Sequence, residues 1–120
     1  MKVLIAEDDI LTSKFISKIF KQFDNEVICA TNSISALQHL EKQNFDIALI
    51  DIHMPGFDGI ELIKHVRNEL KLTLPIIVIT HDHYKNTLIN ALEAGADDFI
   101  NKPFEPNLLY ERVVKLVNSI

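Results

Sequence analysis

The chain alternates between two kinds of hydrophobic pattern. Five short apolar runs, each long enough for one buried strand, are separated by segments in which apolar residues recur every three or four positions. The runs lie at residues 2–6, 26–30, 45–50, 76–79 and 99–100. This pattern predicts five strand–helix units in strict alternation.

The predicted helices begin and end at residues that suit helix termini. Asn32 or Ser33 is predicted to cap the second helix, which runs through residue 43, and Asp58 opens the third. The fourth helix is predicted at about residues 84–93 with Gly95 as its end, and Pro106 suits the first turn of the fifth. The first helix is predicted to bury the apolar row Leu11, Phe15, Ile19 and Phe23, widened by Ile16 and Phe20.

Short strands that alternate with helices favour an α/β fold around a parallel sheet. The strands are apolar on both faces, as a sheet covered by helices on both sides requires. Because crossovers are right-handed, we expect a doubly wound, flavodoxin-like sheet of five strands in the order 2-1-3-4-5, with five helices on two faces. Strands 1 and 3 are neighbours in that order, and ligands bind at the carboxyl ends of such strands.

Composition and charge narrow the class of protein. With 120 residues and 48% hydrophobic content, residues 1–120 are expected to form one domain. The net charge is −5 without a basic cluster, which argues against direct nucleic-acid binding. The apolar runs are too short to cross a membrane, and the acidic N-terminal segment is not a secretory signal. The single cysteine, Cys29, suits a reducing, cytoplasmic location and is predicted to be a buried, inert thiol.

Polar residues follow four of the predicted strands, at the point where each strand ends. They are Asp8, Asp9, Asp51, Thr80 and Lys102. Because the carboxyl ends of parallel strands meet at one edge of a sheet, we expect these side chains to converge. Packed carboxylates repel one another, and an oxygen-only set of ligands suits Mg²⁺. A metal, a hydroxyl and an ammonium group around one carboxylate are what phosphoryl transfer requires.

Each of these residues also has a simpler structural explanation. Aspartate often begins a turn, and Asp51 stands just before the helix-breaking residues 54–56. Asp8 or Asp9 is suited to cap the first helix, and most lysines, like Lys102, are solvated surface residues. The placement of all five residues at one sheet edge favours the functional interpretation.

The chain resembles the receiver domain of two-component response regulators, the CheY-like family, over its whole length. Each matching motif is weak alone, but together, in this order and spacing, the motifs are very specific. They are VLIAEDD at residues 3–9, LIDIHMPGFDG at 49–59, IVIT at 77–80, GADDF at 95–99 and NKPF at 101–104. The resemblance implies a phosphorylation-dependent signalling switch of a two-component phosphorelay, which promotes its own phosphorylation without turning over a substrate.

The resemblance also implies a role for individual residues. Asp51 would accept a phosphoryl group from the phosphohistidine of a sensor histidine kinase or a histidine phosphotransfer protein, or from small donors such as acetyl phosphate. Asp8 and Asp9 would hold Mg²⁺ together with Asp51 and the backbone carbonyl of His53. The metal is the one cofactor that the family implies.

Three further residues would carry the switch. Thr80 would hydrogen-bond the phosphoryl group, Lys102 would pair with it, and Phe99 would turn inward as Thr80 moves, although Phe99 could equally be a core residue. The signal would leave through helix 4, strand 5 and helix 5 toward a downstream effector that the sequence does not identify. A phosphorylation-dependent homodimer is a further partner to consider.

The chain departs from the family at several positions. His81 follows Thr80 where the family has a small residue, and His53 and Asp82 occupy variable positions that tune the lifetime of the phosphoryl group. Leu88 and Leu108 replace two charges of the symmetric dimer that winged-helix members form, so that particular dimer is not expected. They could instead belong to an apolar output patch made by Leu88, Ala91, Phe99 and Leu108, although burial would equally explain most of these residues.

Four other functions compete with the switch. A transition-metal site could form from His53, His81 and His83, because imidazole binds such metals well. A metal-dependent phosphatase could use Asp51 as its nucleophile, but its second catalytic aspartate would stand where the chain has His53. A nucleotide or flavin carrier would need a glycine-rich loop that is absent after strand 1. A degenerate receiver would act only as a docking module.

Overall fold

A computed structural model of the protein describes residues 1–119. Within these residues five strands alternate with five helices, as the hydrophobic pattern predicts. The strands are β1 (Lys2–Ala6), β2 (Glu26–Ala30), β3 (Ile47–Asp51), β4 (Ile76–Thr80) and β5 (Asp98–Asn101). The helices are α1 (Ile10–Lys21), α2 (Ser33–Lys42), α3 (Gly59–Asn68), α4 (Lys85–Ala94) and α5 (Pro106–Asn118). No helix among the described residues is long and apolar enough to span a membrane.

The five strands form one parallel sheet in the order β2-β1-β3-β4-β5, which confirms the predicted topology. Ala6 at the end of β1 pairs with Ile50, and Asp51 in turn pairs with Ile79 of β4. Thr80 pairs with Asn101 of β5. This register brings the residues that follow β1, β3, β4 and β5 to the same edge of the sheet.

The helices cover both faces of the sheet, as expected for a doubly wound fold. On one face the core joins the sheet to α2, α3 and α4 through residues such as Leu40, Leu62 and Val66. On the other face it joins the sheet to α1 and α5 through Phe20 and Val113. The central strands are therefore buried on both sides, which explains why β3 and β4 are apolar up to their last residues, Asp51 and Thr80.

The core-facing side of α1 differs from the predicted one. Leu11, Phe15 and Phe23 are 78%, 47% and 53% exposed, so the prediction that this row of large residues is buried was wrong for them. The buried residues of the helix are Ser13, Ile16, Ser17, Ile19 and Phe20. The two serines belong to the buried face although they are polar, and a search for large apolar residues passes over them.

The edge strand β2 also corrects a prediction. It pairs only with β1, and its residues are mostly exposed or half-buried. Cys29 lies on this strand and its side chain is exposed, so the expectation of a buried thiol was wrong. An edge strand lacks a neighbour on one side, and an apolar run alone does not distinguish it from a central strand.

The two ends of α4 are held in different ways. Its C-terminal end is Gly95, as predicted, with a φ of 126° that favours glycine. A Cβ atom at Gly95 would lie 2.5 Å from Cγ of Arg67, whose guanidinium donates to the Gly95 carbonyl through Nε and Nη2 at 3.0 and 2.9 Å. The N-cap residue Tyr84 makes no side-chain capping bond. Hydrogen bonds from α3 therefore hold the C-terminal end of α4, whereas the N-cap side chain does not secure its first turn.

The proposed output patch is only partly a surface. Ala91 is 1% exposed and belongs to the core, so burial, the other explanation open for these residues, holds for it. Leu88 and Phe99 are half-buried, and Phe99 packs against the core of the α3–α4 face. Leu108 is 44% exposed. The small side chain of Ala91 lies on the inner face of α4, where helical spacing alone left its orientation open.

Candidate functional site

Four polar side chains are buried at the carboxyl edge of the sheet. Glu7, Asp51, Thr80 and Lys102 are 2%, 8%, 0% and 6% exposed. We call these four residues the floor of the site. Each directly follows or ends a strand, so the pairing of β1, β3, β4 and β5 brings the four residues together. Charged groups are almost never buried to this extent unless they are paired.

Lys102 provides the pairing within the floor. Its Nζ donates to Oδ2 of Asp51 at 3.2 Å and to Oε1 of Glu7, and both ion pairs are shielded from solvent. Its backbone N–H donates to the Thr80 carbonyl at 2.9 Å, which fixes Lys102 at the end of β4. The lysine is thus the cation of a buried triad, as predicted for Asp51 but with Glu7 as an unpredicted second partner.

Burial and pairing act against each other on the pKa values of this triad. Burial, the largest cause, together with the hydrogen bond and the charge of Asp51, raises the pKa of Glu7, and Lys102 only partly offsets that rise. Burial alone would lower the pKa of Lys102, but its bonds to Glu7 and Asp51 outweigh burial and raise it. The ammonium group therefore stays charged, whereas the ionised form of Glu7 is disfavoured.

The carboxylates of Glu7, Asp8 and Asp51 form an acidic cluster. One oxygen atom from each lies within 4.8 Å of the others, and this is the only such group of three potential metal ligands among residues 1–119. Oxygen ligands of this kind suit a hard divalent cation such as Mg²⁺. Three carboxylates and one lysine leave an excess of two negative charges, which one divalent cation would balance. The residues present therefore fit the metal that the sequence predicts.

Asp9, predicted as a metal ligand with Asp8, does not join this cluster. Its Oδ2 accepts the backbone N–H of Thr12 at 3.0 Å and the Thr12 hydroxyl, so Asp9 is the N-cap of α1. These bonds, from the side chain of Thr12 first and then from its backbone, lower the pKa of Asp9. Of the two explanations open for this residue, the structure supports helix capping.

Glu7 is the site residue that the sequence analysis missed. Its neighbours Asp8 and Asp9 form an Asp-Asp pair that matches the expected chemistry. The metal was therefore assigned to residues 8 and 9, one position C-terminal to the acidic pair at residues 7 and 8. The strand register contains the missing signal, because Ala6 is the last residue of β1 and pairs with Ile50, next to Asp51. Glu7 and Asp8 are therefore the acidic residues that directly follow the strand.

The loop after β3 packs closely against the acceptor candidate. The backbone N–H of His53 donates to Oδ1 of Asp51 at 3.2 Å, and that of Gly59 donates to the Ile52 carbonyl at 2.7 Å. A Cβ atom at Gly59 would lie 2.5 Å from the Asp51 carbonyl oxygen, so no larger residue fits there without movement of the backbone. Asp58 caps α3, as predicted, by accepting the N–H of Glu61 at 2.9 Å.

Exposed or partly exposed side chains surround the floor. We call Asp9, His53, His81, Asp82 and His83 the rim of the site. His53 Nε2 lies 3.1 Å from Oδ2 of Asp82, so this contact joins the loop after β3 to the loop after β4. The backbone N–H of Asp82 donates to Oγ1 of Thr80 at 3.0 Å. A cavity of about 520 Å³ opens here. Its lining residues are His53, His81, Asp82, His83 and Tyr84.

The rim does not form the transition-metal site considered from the sequence. No group of three ligand atoms that includes His53, His81 or His83 lies within 4.8 Å in the described part of the chain. The imidazole of His53 is 65% exposed and contacts Asp82. The three histidines share a cavity wall without converging on one point. A local excess of imidazole groups therefore does not by itself make a metal site.

Comparison with known proteins identifies related chains. The family model for the response regulator receiver domain matches residues 3–114. The chemotaxis protein CheY-3 of Vibrio cholerae is 32% identical over 122 residues, which cover all of this chain and 94% of CheY-3. The transcriptional regulatory protein CrdR of Helicobacter pylori is 32% identical over 118 residues. That match covers 98% of this chain but only 55% of CrdR.

A solved structure shows the same architecture with a metal bound. The receiver domain of the sensor histidine kinase PA1611 from Pseudomonas aeruginosa superposes with a TM-score of 0.89 at 25% identity, covering 98% of this chain and 97% of that one. That structure holds a magnesium ion in its active site cleft. The relatives thus include a protein of similar length, a longer regulator and a domain of a kinase.

Proposed function

The chain belongs to the response regulator receiver domain family, and from this premise we propose that Asp51 is the residue that accepts a phosphoryl group. The donor would be the phosphohistidine of a sensor histidine kinase or of a histidine phosphotransfer protein, in the cytoplasm, or a small acyl phosphate. Residues 1–120 would act as one receiver domain. The protein would promote its own phosphorylation and act as a switch, without turning over a substrate.

One observation carries this proposal. Asp51 is a carboxylate at the end of a fully buried strand, and its Oδ2 lies 3.2 Å from the Nζ of Lys102 inside the acidic cluster. An oxygen of Asp51 would attack phosphorus to form an O–P bond while the N–P bond of the donor breaks. The electron pair of that bond returns to the imidazole ring, which takes up a proton. Lys102 would stabilise charge on the transferred group.

The acidic cluster would hold Mg²⁺. We assign Glu7, Asp8 and Asp51 to this role, together with the backbone carbonyl of His53, so Glu7 replaces Asp9 in the predicted set. The metal would neutralise charge on the phosphoryl oxygens during transfer. The side chain of Glu7 would also keep Lys102 close to Asp51 before a donor arrives.

The response would spread from Thr80 to the surface made by α4, β5 and α5. Thr80 would donate its hydroxyl hydrogen to the phosphoryl group, and Phe99 would change its position as Thr80 moves. Phe99 is half-buried against the core beside α4, a position from which it could pack in more than one way. A downstream effector or a phosphorylation-dependent homodimer would bind this surface.

Mass spectrometry tests the proposal. Incubation with acetyl phosphate and Mg²⁺ should add one phosphoryl group to the wild-type protein and none to Asp51→Asn. The added group should be labile in acid and in base, as expected of an acyl phosphate. A matched control is Asp46→Asn, which changes an aspartate at the opposite end of β3 and should leave phosphorylation unchanged. Equal phosphorylation of wild type and Asp51→Asn would reject the assignment.

The phosphatase alternative finds less support. Such an enzyme needs a second acid or base beside the nucleophile, and His53 occupies the expected position. Its imidazole contacts Asp82 and is 65% exposed. A group held away from the acceptor in this manner is poorly placed to protonate a leaving group. The intact floor likewise argues against a degenerate receiver that only docks.

A further inference from the structure

The N-terminal end of α4 differs from that of the other four helices. In α1, α2, α3 and α5 the N-cap side chain accepts a backbone N–H of the first turn, through Asp9, Asn32, Asp58 and Glu105. The N-cap of α4 is Tyr84, which makes no such bond and is 78% exposed. Four N–H groups at the start of a helix lack intrahelical partners. A helix without an N-cap bond therefore has a less stable first turn.

Asp82 makes up part of this deficit from two residues upstream. Its Oδ1 accepts the backbone N–H of Tyr84 at 2.9 Å, which orders the turn that leads into the helix. This bond is the largest cause of the lowered pKa of Asp82, and the bond with His53 comes second. Although Asp82 lies on a loop, its side chain is only 13% exposed. The start of α4 therefore depends on one carboxylate.

The same residue is bonded to both sides of the acceptor site. Its Oδ2 lies 3.1 Å from Nε2 of His53, two residues after Asp51. Its backbone N–H donates to Oγ1 of Thr80 at 3.0 Å. That bond occupies an acceptor position of the Thr80 oxygen and leaves the hydroxyl hydrogen free to be donated elsewhere.

We propose that Asp82 is a positioning residue that couples the acceptor site to the first turn of α4 through its bonds to Thr80, His53 and Tyr84. This inference rests on the proposed function, because the input is a phosphoryl group on Asp51. Movement of Thr80 toward that group pulls on the N–H of Asp82, and movement of the loop after β3 pulls on its carboxylate. Both displacements reach the turn before α4 through the same residue.

The opposite end of the helix determines what such a displacement can do. Gly95 is held by two bonds from Arg67, whose Nη1 also donates to the Leu72 carbonyl at 2.9 Å. A helix clamped at its C-terminal end and released at its N-terminal end changes its tilt or loses its first turn. The output surface would therefore respond mainly near Tyr84 and Leu88, and much less near Ala94.

Hydrogen exchange of the α4 amides tests the inference. Beryllofluoride with Mg²⁺ serves as the phosphoryl mimic, and its binding is followed separately by fluorine NMR. In the wild type, the mimic should change exchange at residues 84–88 and leave residues 92–96 nearly unchanged. In Asp82→Ala, the amides of Tyr84 and Leu88, which are the hydrogen-bonded ones at this end of the helix, should exchange about fivefold faster without the mimic, as expected for a lost cap. The change on binding should disappear.

Two further variants separate the bonds of Asp82. Asp82→Asn keeps an oxygen that accepts the N–H of Tyr84, so it should restore the slow exchange that Asp82→Ala loses. His53→Ala removes the imidazole contact to Oδ2 and keeps the backbone carbonyl assigned to Mg²⁺. At mimic concentrations where fluorine NMR shows the same occupancy as in the wild type, it should reduce the response of α4. Asp58→Ala, which removes the cap of α3, is the matched control and should affect the amides of α3 alone.

The outcomes distinguish the inference from the proposed function. If the mimic fails to bind the wild type, the phosphoacceptor function is rejected, whereas basal exchange in Asp82→Ala still tests the cap. If the mimic binds Asp82→Ala and α4 responds as in the wild type, Asp82 does not couple the two sites. Unchanged basal exchange in Asp82→Ala would also overturn the inference.

Discussion

The floor and the rim of the site are held in place by different means. The floor residues Glu7, Asp51, Thr80 and Lys102 stand at strand ends and are at most 8% exposed. The rim residues lie on loops or at a helix cap, and hydrogen bonds such as that between His53 and Asp82 join them to their neighbours. The sheet thus determines the chemistry that the site can perform. If Asp51 accepts a phosphoryl group as proposed, the loops would determine how easily a donor or water reaches it.

The two regions also respond to pH in opposite directions. The pKa of Glu7 in the floor is raised, mainly by burial, so its contribution favours folding below its ordinary value of 4.5 and is lost as pH rises through the raised pKa. The pKa values of Asp9 and Asp82 in the rim are lowered by hydrogen bonds. Their contributions are present above the ordinary value of 3.8 and are lost as pH falls through the lowered pKa.

The largest expected effect comes from removing the cation of the floor. Lys102→Met leaves Glu7 and Asp51 buried without a counter-charge, so it should lower the free energy of unfolding of the metal-free protein by about 3 kcal/mol. Urea denaturation at neutral pH measures this loss. Adding Glu7→Gln to Lys102→Met should recover part of it, because one of the two unpaired carboxylates is then removed.

A surface ion pair provides the control for this experiment. Lys64 pairs with Glu61 at 3.4 Å, and both side chains are more than half exposed, at 51% and 58%. Lys64→Met should therefore change the free energy of unfolding by no more than about 0.5 kcal/mol. If Lys64→Met and Lys102→Met lower the free energy of unfolding by similar amounts, the burial of the floor does not strengthen its ion pairs.

The second largest effect separates Glu7 from Asp9. Glu7→Gln should weaken Mg²⁺ binding strongly and raise the thermal midpoint of the metal-free protein at neutral pH, because a buried charge is removed. Asp9→Ala should leave Mg²⁺ binding nearly unchanged and lower the midpoint with or without metal, because α1 loses its cap. Thermal melts with and without Mg²⁺ measure both. Loss of Mg²⁺ binding in Asp9→Ala, with Glu7→Gln unaffected, would restore the original assignment.

The pH dependence of the same two variants sharpens the contrast. Glu7→Gln should abolish the fall in stability that accompanies rising pH above about 4.5, the ordinary value for glutamate. Asp9→Ala should abolish part of the fall that accompanies decreasing pH below 3.8. Identical pH profiles for the two variants would contradict the division of the site into floor and rim.

The sequence predicts the floor well because strand ends can be located from hydrophobic runs. Asp51, Thr80 and Lys102 lie where the pattern placed them, and the sheet order brings them together. Glu7 was missed although the predicted end of β1 at residue 6 was correct. The aspartate pair at residues 8 and 9 was assigned to the metal instead of the two acidic residues that directly follow the strand. The sequence nevertheless predicted a cluster of carboxylates at this edge, with a hydroxyl and an ammonium group beside one of them.

The rim and the outer helix faces were harder to predict for a physical reason. Loop geometry depends on individual hydrogen bonds. No periodic pattern in the sequence indicates that Asp82 bonds to both His53 and Thr80. In α1 the small residues Ser13 and Ser17 are buried while Phe15 is exposed, which reverses what hydrophobicity alone suggests. Tertiary packing overrides local preference at such positions.

The smallest expected effect concerns His81 and the lifetime of the acyl phosphate. The phosphoryl group is lost when water attacks phosphorus opposite the aspartyl oxygen, and this attack needs open space. His81 follows Thr80 directly and lines the rim cavity together with His53, two residues after Asp51, so its bulk should hinder water in either protonation state. His81→Ala should therefore lose the phosphoryl group about threefold faster, which corresponds to a change of well under 1 kcal/mol in the barrier.

Phosphate-affinity gels after removal of the donor measure the decay. His83→Ala removes a second imidazole from the same cavity wall, at a position three residues after Thr80 in the chain, and should decay almost as slowly as the wild type. Decay of His81→Ala at or below the wild-type rate would reject shielding by His81 and make the His53–Asp82 contact the next determinant to test.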